Sequence, residues 1–157
     1  MKKIIILLLV VGFSFGCSLY NELADDVYES RIQKSEVYYH EDFTSLRTVK
    51  DIQDYVYNTL QYAKDTTDTW NMAKETLTKG YGDCEDFAIL FMNIYYVVFG
   101  EKLDFVLVDM LRSVNKGGLI DHVIVLRNDG TYIGSRGEQI SQNIYVGYTY
   151  SFDLFFY

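Results

Sequence analysis

Proline is absent from the 157 residues, so helix ends must be read from glycine and from polar caps. The chain has only two histidines and two cysteines. They show no paired spacing, and this argues against a zinc site. Positive charge is scarce: 14 Lys and Arg stand against 22 Asp and Glu, a formal net charge of -8. That balance is the wrong sign for binding phosphate backbones, and nucleic acid is excluded as the expected partner. Long apolar runs are lacking as well. The stretch from Ile4 to Val11 falls well short of the about 20 residues a membrane-spanning helix needs. Internal repeats and low-complexity linkers are not seen. What the chain does have is apolar mass: 49% of residues are hydrophobic and 17% aromatic, which indicates a folded core rather than a disordered chain.

The first residues carry an address. Met1-Lys2-Lys3 followed by Ile4 to Val11 is a basic segment and a short apolar one, the form of a signal peptide over residues 1–16. Gly16-Cys17 then has the form of a lipoprotein cleavage site, with Cys17 as the lipidated residue and the membrane reached through that anchor. Ser14 and Phe15 depart from the usual residues of such a site, and a plain secretory signal is the alternative. Cys17 and Cys84 are formally able to pair in an oxidising compartment, whereas lipidation of Cys17 leaves Cys84 a free thiol. Residues 17–47 are expected to form a spacer, with a helix from Leu19 to Lys34, and residues 48–157 a single domain.

The periodicity predicts helices before strands. Thr48 is an N-cap candidate for a helix to about Lys64, with Val49, Ile52, Val56, Leu60 and Ala63 on one face. Met72 to Thr78 reads as a short helix ended by Gly80, and Cys84 to Phe99 as a helix apolar almost all round, closed by Gly100. Strand-like runs come next at 104–111, 122–127, 131–134 and 143–150, with Asn128-Asp129-Gly130 as a tight turn. Helices succeeded by antiparallel strands indicate an α+β domain.

Chemistry concentrates in Gly80-Tyr81-Gly82-Asp83-Cys84-Glu85-Asp86. A cysteine that opens a helix meets unpaired N–H groups and the positive end of the macrodipole, which favour its thiolate against an ordinary pKa of about 8.5. Glu85 and Asp86 oppose that effect if they lie close. His122 begins an apolar strand far away in sequence, as a base for a thiol nucleophile would. His40 stands in a polar stretch and is expected to be solvated surface.

The run from Trp70 through Glu75-Thr76-Leu77 and Gly80-Tyr81-Gly82-Asp83-Cys84-Glu85-Asp86 resembles the bacterial transglutaminase-like cysteine peptidases, and the resemblance extends over about Val49 to Arg136. It implies a papain-like core in which the cysteine helix packs on an antiparallel sheet bearing the histidine. It implies Cys84 as nucleophile, His122 as base, and a peptide or protein as substrate. Trp70 and Asp83 would lie in the substrate and oxyanion region, although a large core aromatic explains Trp70 equally well. The family places an aspartate where Ser135 stands here. Serine can orient an imidazole but cannot stabilise its charge, and Glu138 is close enough in sequence to substitute. No cofactor is required by this chemistry. Some relatives bind calcium through carboxylates, which makes Asp83, Glu85 and Asp86 the candidate ligands. Two functions are implied: an exported thiol peptidase or amidase, or a degenerate lipoprotein that kept the fold for binding or scaffolding.

Overall fold

In the computed structural model the described residues are 31–64, 69–109, 122–134 and 145–157. The chain divides into two units, Met1–Ile32 and Gln33–Tyr157, and the second holds the described helices and strands. Cys17, Ser135 and Glu138 lie outside the described residues, as does most of the expected spacer helix; its last four residues, 31–34, are not helical.

Helix α1 spans Val49–Thr59 and starts as the sequence indicates. The Thr48 side chain accepts from the Asp51 N–H, and the Asp51 carboxylate accepts from the Thr48 N–H at 2.8 Å, a reciprocal capping box. The helix stops five residues before the expected Lys64. Gln61–Tyr62 instead form a short strand, β1, parallel to β2 at Tyr81–Gly82. Two backbone bonds draw it out, from Gln61 N–H to the Gly80 carbonyl at 2.9 Å and from Ala63 N–H to the Gly82 carbonyl at 2.8 Å. The partner lies twenty residues on, so local periodicity carries no sign of it.

Helix α2, Ala73–Lys79, ends at Gly80, whose φ of 72° is the left-handed conformation that glycine adopts without steric cost. Helix α3, Cys84–Phe99, closes at Gly100. Strands β3 (Asp104–Asp109), β4 (His122–Leu126), β5 (Tyr132–Ile133) and β6 (Tyr145–Tyr150) form an antiparallel sheet in the order β5-β4-β3-β6. The turn between β4 and β5 closes as expected, with Gly130 N–H on the Arg127 carbonyl at 2.9 Å and Thr131 N–H on Asp129 Oδ1 at 2.9 Å.

Helix α3 is the axis of the domain. Phe87 to Tyr95 are buried, and the helix packs against β3, β4, α1 and α2. This is the α+β arrangement that the sequence pattern indicates. The domain starts earlier than residue 48, however. Buried Asn93 on α3 accepts from Tyr38 N–H and donates to the Tyr38 carbonyl, both at 2.8 Å. A 3-10 helix at Glu41–Ser45 buries Phe43. His40, expected to be solvated surface, is partly exposed and caps that turn, its Nδ1 accepting from Asp42 N–H at 3.3 Å. Among the described residues no helix is long and apolar enough to cross a membrane.

Candidate active site

Each glycine of Gly80-Tyr81-Gly82 has its own reason. Gly80 turns the chain out of α2 with positive φ. Gly82 permits close approach: a Cβ placed there would sit 2.6 Å from both Cβ and Oδ2 of Asp86. Between them the two residues bring the chain back onto α3 so that Cys84 becomes the first residue of that helix, with Asp83 as its N-cap.

Asp86 holds this junction. Its Oδ1 accepts from the Asn71 backbone N–H at 2.7 Å and its Oδ2 from Asn71 Nδ2 at 3.0 Å. The Asn71 side-chain oxygen in turn accepts from Lys79 Nζ at the end of α2. The chain after Trp70, the end of α2 and the start of α3 are thereby tied together within two residues of Cys84. Asp86 is only 1% exposed; burial pushes its carboxyl up to about 6 despite the Asn71 hydrogen bonds, which act the other way.

The thiol is not in the state expected at a helix N-terminus. Partly buried Cys84 donates from Sγ to Glu85 Oε2 at 3.1 Å. Burial comes first, then the charge and hydrogen bond of Glu85 and the charge of Asp83, and together they hold the thiol above its ordinary value. Desolvation and nearby carboxylates outweigh the helix end here, because the macrodipole term is worth only about 0.3–1 kcal/mol. Glu85 is itself 6% exposed, and burial together with Asp83 pushes its carboxyl up to about 8.

His122 opens β4, paired with Val108 on β3, and is half-buried. The β3–β6 register shifts between Leu107 and Val108, beside this pair, and a bulge of that kind commonly re-aims side chains near a site. Because α3 packs on β4, the helix of Cys84 and the strand of His122 are neighbours. Among protein-family models, residues 35–95 match the one described as the transglutaminase-like superfamily. This segment is similar to the transglutaminase-like superfamily. No curated protein and no solved structure matches the chain.

The transglutaminase-like segment is less than half of the chain and includes Cys84 but not His122. Two expectations drawn from the family need correction. Trp70 is 2% exposed and packs on Phe105 at 5.0 Å and Phe155 at 6.4 Å between ring centroids. It is a core residue; a large aromatic in reach of two buried rings gains more from burial than from facing solvent. The calcium trio is not assembled either. Both oxygens of Asp86 are taken by Asn71, and among the described residues no group of three or more His, Cys, Asp or Glu is placed to hold a metal ion. Asp83 and Glu85 do not make up the loss: both are buried, Glu85 Oε2 receives the Cys84 thiol, and Glu85 is hydrogen-bonded to Asp83. Two carboxylates supply at most about four of the six to eight oxygens that calcium takes.

Nothing in the local pattern singles out the Asn71–Asp86 bracket. Its one trace is an acid in the first turn of a helix, which ordinary capping explains as well.

Proposed function

We propose that this protein is an exported, thiol-dependent peptidase or amidase of the transglutaminase-like superfamily, working by acyl transfer from Cys84 with His122 as base. The observation that carries the reading is Cys84 as the first residue of α3, in the matched segment, with that helix packed on the strand that His122 opens. Export and attachment rest on the Lys2-Lys3 start, the apolar run and Gly16-Cys17.

In this scheme the proton leaves Sγ for the His122 imidazole as sulfur attacks the carbonyl carbon and the carbonyl electron pair moves onto oxygen. Backbone N–H groups at the start of α3 receive that oxyanion, and the Asp83 side chain makes no capping hydrogen bond that competes for them. The tetrahedral adduct collapses, its amine leaves with the proton from His122, and water releases the acyl group from sulfur. Burial and the nearby carboxylates favour the protonated thiol, so in this scheme His122 takes the proton as sulfur attacks.

The same protonated thiol, with Ser135 where the family has an acid, favours a second reading: a degenerate binding or scaffolding lipoprotein. The two separate on one experiment. Purified protein is offered a peptide and amide library with and without calcium. The enzyme reading requires turnover that Cys84→Ala abolishes. No turnover by the wild type, together with turnover by Ser135→Asp, would establish the degenerate reading.

A further inference from the structure

The parallel pair β1–β2 matches Gln61 with Tyr81 and Tyr62 with Gly82. Paired residues on adjacent strands project to the same face. Gly82 shows which face that is, because a Cβ at Gly82 would point into Asp86 in the first turn of α3. Tyr62 therefore projects toward the start of α3, while Tyr81 projects away. Ring contacts agree: the Tyr62 ring lies 6.3 Å from that of Phe87, tilted by 55°. Phe87 is three residues after Cys84, on the same side of the helix. Tyr62 is nonetheless 47% exposed, whereas Phe87 is buried.

We infer that Tyr62 is a specificity-determining residue: its outer ring face receives the aromatic or apolar side chain next to the amide that Cys84 attacks. This rests on the thiol-enzyme reading above. Three features support the assignment. Glycine at position 82 leaves no side chain between the Tyr62 ring and the turn that carries the thiol. Buried Phe87 backs one edge of the ring, which limits the freedom the ring must lose on binding. The chain's net charge of -8 disfavours an acidic side chain in the same place.

The test uses the full chain and two irreversible peptidyl fluoromethyl ketones, one with Phe and one with Ala beside the reactive carbon, plus iodoacetamide as a generic thiol reagent. Stacking on an exposed ring should make the Phe probe inactivate wild type about five- to tenfold faster than the Ala probe. Tyr62→Ala should bring that ratio to about two or less and Tyr62→Phe should preserve it, with iodoacetamide rates equal in all three proteins. Equal rates for both probes on wild type, or a preference that survives in Tyr62→Ala, would overturn the role of Tyr62 and leave the enzyme reading standing. Labelling by iodoacetamide but by neither peptidyl probe would overturn the enzyme reading, and this inference with it.

Discussion

Asp86 receives two hydrogen bonds from one residue, Asn71, through its backbone N–H and its side-chain amide. That bracket fixes the first turn of α3 against the chain just after Trp70. Asp86→Asn replaces one acceptor with an amino group facing a donor and should cost about 1–3 kcal/mol. Urea unfolding of the two proteins at pH 7.5 measures it. A midpoint unchanged from wild type would show that the bracket contributes nothing net.

Gly82→Ala should be destabilising for a different reason. Its Cβ would meet Asp86 at 2.6 Å, within the bracket itself, so the acid must leave Asn71 or the strand must leave α3. Overpacking of this kind costs about 1–3 kcal/mol. Gly80→Ala meets no neighbour within 4 Å and pays only for its positive φ, so it should lose less. Thermal melts of the two variants rank them, and the reverse order would contradict the close-approach account.

The buried carboxyls set a direction for pH dependence when divalent cations are chelated. Asp86 and Glu85 are raised in the fold, to about 6 and about 8, so the folded chain keeps these protons at pH values where the unfolded chain has lost them. Their contribution is fully present below the unfolded values of about 4 and is lost as pH rises, through about 6 for Asp86 and about 8 for Glu85. Stability should therefore fall between pH 5 and about 8. Glu85→Gln should flatten the upper part of that fall, which urea midpoints at pH 5, 6.5 and 8 would reveal. Parallel curves for variant and wild type would argue that Glu85 is not the titrating group.

Calcium supplies a complementary test. With the oxygens of Asp86 committed to Asn71 and Glu85 Oε2 to Cys84, millimolar calcium should leave the melting temperature of wild type unchanged at pH 7.5. A rise that chelator reverses and that Asp83→Asn or Glu85→Gln removes would show that these carboxylates do gather around the ion.

Local pattern determined much of this protein. Thr48 with Asp51, Gly80 and Gly100 fixed three helix ends, because caps act on backbone groups within a few residues. The all-round apolar face of 84–99 marked a buried helix, and Asn128-Asp129-Gly130 marked the turn between β4 and β5. The motif around Cys84 carried the resemblance to the superfamily whose model matches residues 35–95. Tertiary structure alone decided what joins residues distant in the chain. It ended α1 early to pair β1 with β2, drew 33–47 into the domain through Asn93 and Phe43, and placed Trp70 in the core. It also decided the charge state at the site. A helix start favours a thiolate wherever it occurs, but only the packed fold buries Cys84, Glu85 and Asp83 together, and their desolvation outweighs the helix end.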